Sequence, residues 1–259
     1  MSKINARKRF DLSGKTAIVT GGCAGIGHAI AVGLADYGAH VVLADIAPEK
    51  AGRCAVSDIE RQTRSKACYI PTDVSRFADV QRMVAEALSR FHRLDILVNS
   101  AAVVKRARPE ALDPEKARAQ VDINLIGLFY CCQEAGKVML NNKRGSIINI
   151  SSTDAEAGVP NVAMYAATKG GVNALTRTLA VEWAANGVRV NAISPCVVET
   201  EMVKPVLEDA SRRQMIEANV PLGISRPADF QGPAVFLASD ASSMVTGHVL
   251  HVDGGYLAK

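Results

Sequence analysis

The chain has 259 residues, 48% hydrophobic and 22% charged, the balance of a globular protein with enough length for one large core. Its net charge of +4 is scattered, aromatics make up only 5%, and no apolar run reaches membrane-spanning length, so no nucleic-acid or membrane partner is expected. Six cysteines (Cys23, Cys54, Cys68, Cys131, Cys132, Cys196) form no Cys-x-x-Cys pair and have no histidine cluster at zinc spacing, which predicts reduced thiols in a cytoplasmic protein without a metal.

In chain order, residues 1–10 carry Lys3, Arg7, Lys8 and Arg9 with no apolar run behind them. That is no secretory signal, and a flexible tail is expected there, with one domain over 11–259. Strand Thr16–Thr20 leads into helix Gly25–Tyr37, which Gly38 ends. Strand His40–Asp45, helix Ala47–Thr63, strand Ala67–Ile70, helix Arg76–Phe91 and strand Leu94–Asn99 follow. Pro114–Leu140 reads as one long helix, then strand Ser146–Ile150, helix Met164–Asn186 and strand Arg189–Ile193. Glu201–Arg226 is polar, broken by Pro205 and Pro221, and contains no strand; such an insertion reads as a substrate loop or lid. Helix Pro227–Ala238 and strand His248–Val252 close the chain. Most strands are near-continuous apolar runs, the pattern of parallel strands covered on both faces. The alternation predicts an α/β, doubly wound, seven-stranded parallel sheet, a Rossmann fold in a single domain.

The first chemical signal is Thr20-Gly21-Gly22-Cys23-Ala24-Gly25-Ile26-Gly27, which joins the first strand to the first helix. Gly21 permits the sharp exit from the strand, Gly25 lets backbone approach phosphate oxygens, and Gly27 lets the helix pack on the sheet. The helix start offers free N–H groups and a positive dipole end to an anion. A dinucleotide site is therefore expected. Asp45 ends the second strand 18 residues after Gly27, near the spacing of a carboxylate that accepts the adenosine ribose hydroxyls. It repels a 2′-phosphate, and neither Ala24 nor Ile46 supplies a cation to hold one, so NAD is expected over NADP. Asp45 as a cap for the helix begun by Pro48 is the compatible alternative. Cys23 and Cys196 fall beside this site, where they read as small apolar residues in tight places, with inhibition by oxidation as the other role.

The second signal is Tyr165-Ala166-Ala167-Thr168-Lys169, preceded by Ser152 just past a strand. Tyr165 and Lys169 are four residues apart and share a helix face. A free phenol titrates at about 10, and a nearby ammonium favours the phenolate. That brings the group toward the range in which an acid or base works. Ser152 lies at the carboxyl edge of the sheet, placed to hold a carbonyl or alcohol oxygen beside Tyr165.

In this order these residues resemble the short-chain dehydrogenase/reductase family, in its single-domain form, over essentially Asp11 to Tyr256. The resemblance implies the following site. Gly21, Gly25, Ile26 and Gly27 form the cofactor turn, and Asp73 with Val74 touches the adenine. Asn99-Ser100-Ala101-Ala102 stands where the family has Asn-Asn-Ala-Gly, placing Asn99 and Ala101 at the cofactor. Asn124 anchors a water for proton relay. Ser152 orients the substrate oxygen, Tyr165 is the acid/base, and Lys169 holds the nicotinamide ribose and lowers the Tyr165 pKa. Pro195, Val198 and Thr200 fall in the segment that meets the nicotinamide. Cys196 replaces a family glycine there. The resemblance also implies a homotetramer.

The substrate is argued from Asp154, Glu156 and Asn161, which lie between Ser152 and Tyr165. Facing inward they suit a polyhydroxylated compound; facing outward they solvate a loop. A sugar, polyol or sugar-acid dehydrogenase is the expectation. The alternatives are a 3-oxoacyl-[acyl-carrier-protein] reductase-like ketone reductase and a non-catalytic NAD-binding regulatory protein.

Overall fold

A computed structural model describes residues 5–259. Its strands are β1 (Thr16–Thr20), β2 (His40–Asp45), β3 (Ala67–Pro71), β4 (Ile96–Asn99), β5 (Gly145–Ile150), β6 (Val188–Pro195) and β7 (Val249–Val252). They form one sheet in the order β3-β2-β1-β4-β5-β6-β7, every pairing parallel. The inner strands are buried almost throughout, and only the edge strands β3 and β7 are partly uncovered. This is why the inner strands read as unbroken apolar runs rather than alternating ones.

The helices are α1 (Gly25–Asp36), α2 (Glu49–Gln62), α3 (Phe77–Phe91), α4 (Pro114–Val121), α5 (Leu128–Asn141), α6 (Ala163–Trp183), α7 (Lys204–Leu207), α8 (Ala210–Asn219) and α9 (Gln231–Ala238). Successive strand residues feed opposite layers. Val19, Val41, Leu43, Val98 and Ile148 meet Ile30 and Leu34 of α1, Ile59 of α2 and Leu237 of α9. Ile18, Val42, Leu97, Ile147 and Val190 meet Val80 and Met83 of α3, Cys131 and Met139 of α5, and Val172 and Leu179 of α6. Strand order reverses between β1 and β4, and the crevice this leaves at the carboxyl edge is where such sheets bind ligands.

Three expectations need correction. The helix expected over Pro114–Leu140 is not uniform: between α4 and α5 the chain winds as a π-helix over Asp122–Gly127. Hydrophobic period does not register one extra residue in a turn. Two contacts are satisfied there instead: Asn124 reaches Val103, and Gly127 lies so near the β3–α3 loop that a Cβ would come 2.8 Å from the Val74 carbonyl. The tail expected over 1–10 is ordered from Asn5 onward, residues 1–4 lying outside the described residues. Ala6–Phe10 is a 3-10 helix capped by the Asn5 side chain, and the Arg9 guanidinium donates to Asp240 O at 2.6 Å and Ser243 Oγ at 2.7 Å. The insertion at 201–226 is strand-free, yet it carries α7 and α8, with Asp209 capping the latter through the N–H groups of Ser211 and Arg212.

Candidate active site

The glycine turn closes against β4. Thr20 Oγ1 accepts from the N–H groups of Ser100 and Ala101 (3.1 and 3.2 Å), drawing the β4 exit onto the turn. A Cβ on Gly27 would stand 2.2 Å from the Gly21 carbonyl, so only glycine lets α1 begin this close to the turn. Gly25 has φ +55°, and its missing Cβ would meet Thr200 Cγ2 at 3.3 Å. Thr200 thus faces the turn from the segment after β6, as its assignment to the cofactor requires. Ala24, the N-cap of α1, makes no side-chain cap, so the first N–H groups of α1 are left to an anion. The residues present fit a dinucleotide pyrophosphate on these grounds. Ile26 packs half-buried on the core beneath.

Asp45 sits at the end of β2 with Oδ2 accepting from the Cys23 N–H (3.0 Å) and Oδ1 from the Ala47 N–H (3.0 Å). The carboxylate therefore braces the glycine turn and the entry to α2 together. Burial and Asp45 push the Cys23 thiol up to about 12, and burial raises Cys196, so both thiols are protonated at neutral pH. Asp73 Oδ1 accepts from the Ser75 N–H and hydroxyl (3.0 and 2.7 Å), and Val74 is buried against Gly127. Val198, buried beyond Pro195, bridges to Ser225 and ties the base of the insertion to the sheet.

Asn99 ends β4 opposite Thr20, beside the glycine turn. Its carboxamide turns into the core, donating to Asn149 Oδ1 at 2.9 Å, and Asn149 donates in turn to Thr176 Oγ1 at 2.9 Å. Ser151 donates to Asn173 Oδ1 at 2.6 Å. These bonds run from β4 across β5 to α6 and set the height of α6 on the sheet. Tyr165 and Lys169 ride on that helix.

Ser152, Tyr165 and Lys169 converge as their spacing predicts. Ser152 presents its hydroxyl to Tyr165 and favours the ionised phenol. The Lys169 ammonium lies 5.6 Å from the Tyr165 ring centroid and donates to the Ile150 carbonyl at 2.6 Å. The expected lowering of the Tyr165 pKa is not what this arrangement gives. Burial and the Asp154 charge push the phenol up to about 12, and burial pushes Lys169 down to about 8. Desolvation is the largest cause for both groups. Asn124 is buried in the π-helical stretch, its carboxamide engaged by both backbone groups of Val103, with Thr168 Oγ1 beyond at 3.4 Å.

Three further residues, one at the glycine turn and two whose charge or dipole acts near the tyrosine, follow from the structure. Thr20 joins two loops through its hydroxyl, which its place in the motif made findable. Arg106, from the loop after β4, and Tyr256, from the last turn of the chain, act electrostatically on Tyr165 or Asp154. Only the fold brings them there.

Among the described residues no group of His, Cys, Asp or Glu could hold a metal, and no helix is long and apolar enough to cross a membrane. A family model described as enoyl-(acyl carrier protein) reductase matches residues 21–257. D-threitol dehydrogenase of Mycolicibacterium smegmatis is 40% identical over 253 residues, 96% of this chain and 95% of that protein. A 2-dehydro-3-deoxy-D-gluconate 5-dehydrogenase of Pseudoalteromonas atlantica is 37% identical over 256 residues, 97% of this chain and 99% of that protein. The crystal structure of a gluconate 5-dehydrogenase from Burkholderia cenocepacia, in complex with NADP and tartrate, superposes with a TM-score of 0.94 at 36% identity, covering 98% of this chain and all of that one.

Proposed function

The chain belongs to the short-chain dehydrogenase/reductase family and is an oxidoreductase acting on CH–OH groups; from that premise we propose that it interconverts a secondary alcohol of a sugar, polyol or sugar acid with its ketone, using NAD and Tyr165. The observation that carries this is the meeting of Ser152, Tyr165 and Lys169 at the sheet edge that also holds the glycine turn. The bound nicotinamide supplies the hydride acceptor for oxidation and the donor for reduction, and its oxidised ring adds a positive charge. Ser152 holds the reacting oxygen. Tyr165 removes the hydroxyl proton when the alcohol is oxidised and returns one when the ketone is reduced. Lys169, charged at neutral pH, fixes the Ile150 carbonyl and faces the tyrosine ring. Asn124 holds the β4 loop in register through Val103.

Two finer readings belong to the same proposal. Asp45 favours NAD, because a 2′-phosphate there would stand beside a carboxylate whose oxygens already order the turn. Self-association, as a homotetramer by family resemblance, is supported by apolar side chains left in solvent on the π-helical and neighbouring helices: Ile126 at 36%, Phe129 at 37% and Val181 at 82% exposure. Six free cysteines fit a reducing, cytoplasmic compartment.

The test is Tyr165→Phe. Dinucleotide affinity is expected to stay within about threefold while turnover falls about 10²- to 10⁴-fold, the range removed with a positioned acid or base. Full turnover in that variant overturns the assignment of the acid/base.

A further inference from the structure

Three polar side chains follow Ser152 before Tyr165, and they are disposed differently. Glu156 is occupied: it accepts from Asn173 Nδ2 at 3.5 Å and faces His251 Nε2 at 3.5 Å. Asn161 is exposed in a left-handed conformation (φ 68°), and its backbone carbonyl receives the Ala107 N–H at 3.0 Å. Asp154 has neither kind of tie at its carboxylate. It sits in the 3-10 turn Thr153–Ala155, pinned through its own N–H to Ser152 Oγ at 3.1 Å.

Among the described residues the Asp154 carboxylate accepts no hydrogen bond and makes no ion pair, although the residue is half-buried. Its oxygens still reach solvent, so they are free to accept from a ligand hydroxyl, while burial holds the carboxyl above its ordinary value. Groups from separate elements lie within reach of its field: Tyr165 and Lys169 of α6, Cys196 after β6, Tyr256 of the last turn, and Arg106 of the loop after β4. Arg106 is exposed and tempers that charge without covering it. Asp154 is thus an acceptor held by its N–H on the serine that orients the reacting oxygen, close enough for its charge to act on the tyrosine.

We propose that Asp154 is a specificity residue that accepts the hydroxyl on the carbon next to the reacting carbinol, so that the enzyme selects neutral vicinal diols over lone secondary alcohols and over compounds with a carboxylate at that neighbouring position. The inference rests on the functional reading above and narrows it to those sugars, polyols and sugar acids whose reacting carbinol has a neutral hydroxyl on the neighbouring carbon. A hydroxyl donates to the carboxylate in place of water. A methylene leaves it bare, and a second carboxylate meets it with like charge.

The experiment compares kcat/KM for butane-2,3-diol, butan-2-ol and 2-hydroxybutanoate in the parent protein, Asp154→Asn and Asp154→Ala, with NAD affinity measured by dialysis as the check on folding. The diol/mono-ol ratio is expected to exceed 10 in the parent and to fall about 10- to 100-fold in Asp154→Ala, the span of a hydrogen bond to a charged group. Asp154→Asn, which keeps the shape and an acceptor oxygen, is expected to fall between and to raise relative activity on 2-hydroxybutanoate; it carries the test should Asp154→Ala fail to bind NAD. A parent that turns over alcohols with no preference for the diol, or variants that lose diol and mono-ol activity in equal proportion, overturns this proposal alone. A parent that oxidises none of these compounds nor a tetritol overturns the functional reading and this proposal with it.

Discussion

The Asn124 carboxamide grips both backbone groups of Val103: its Nδ2 donates to the Val103 carbonyl at 2.8 Å and its Oδ1 accepts the Val103 N–H at 2.8 Å. This reciprocal pair joins the π-helical stretch Asp122–Gly127 to the loop that leaves β4 toward the glycine turn. Val103 is half-buried and Asn124 is 1% exposed, so water does not readily replace either bond.

Asn124→Ala leaves a donor and an acceptor unmatched. It is expected to lower stability by about 2 kcal/mol, within the cost of unpaired buried polar groups. Because the same loop carries Ala101 against the glycine turn, dinucleotide affinity should weaken in parallel. Urea unfolding together with an NAD titration checks both; a variant with unchanged midpoint and affinity sets this role aside.

The line Asn99–Asn149–Thr176 makes a second prediction. Asn149→Ala strands partners on both sides, and is expected to cost about 2–4 kcal/mol. It also frees α6 to shift, so kcat should fall by more than KM rises. Steady-state kinetics on the folded variant separates this from simple loss of folded protein.

Lys169 carries a linkage prediction. Its folded-state pKa is depressed to about 8 from 10.5 by burial. Between these values the folded chain has released the proton while the unfolded chain still binds it, so the Lys169 contribution makes stability rise with pH across that window. The full span is about 3 kcal/mol at 1.36 kcal/mol per pH unit, and below about pH 8 it stands as a cost of holding a desolvated ammonium. The difference in unfolding free energy between the parent and Lys169→Met should therefore move in favour of the parent from pH 8 to pH 10. Urea titrations at three pH values measure the slope, and a flat difference contradicts the depressed pKa.

Cofactor choice is tested at the end of β2. Ile46 is 76% exposed, so an arginine is accommodated there. Asp45→Ala combined with Ile46→Arg should raise the NADP/NAD ratio of kcat/KM by about 100-fold or more, exchanging repulsion for a phosphate-pairing guanidinium. Since Asp45 also braces the Cys23 and Ala47 N–H groups, some thermal stability should be lost with it. A parent enzyme that already prefers NADP contradicts the reading of Asp45.

What the sequence made legible follows from which interactions are local. The strands, the glycine turn and the Tyr165–Lys169 pair are written in short spacing, and the structure has them within a few residues of the expected bounds. The direction of the Asn99 carboxamide was not legible, because such a group at a strand end has equal reason to face ligand or core, and only the approach of Asn149 at 2.9 Å decides it. The direction of the Tyr165 shift was missed because burial is a property of the fold: spacing brings Lys169 near, but it does not show that both groups lose water or that Asp154 lies beside them. Arg106 and Tyr256 reach the site from loops with no periodic signature at all.

The π-wound stretch also restricts how this protein can vary in length. A deletion of one residue between Asp122 and Gly127 would remove the residue that the wide turn absorbs, so that α4 and α5 fuse into a single 3.6-residue spiral with their outer faces kept while the side chains of the turn are re-aimed. Asn124 would then part from Val103, although the Cys131–Met139 face stays on the sheet. Loops elsewhere can lose or gain a residue at little cost, whereas here the count itself is a functional constraint, independent of which side chains fill it.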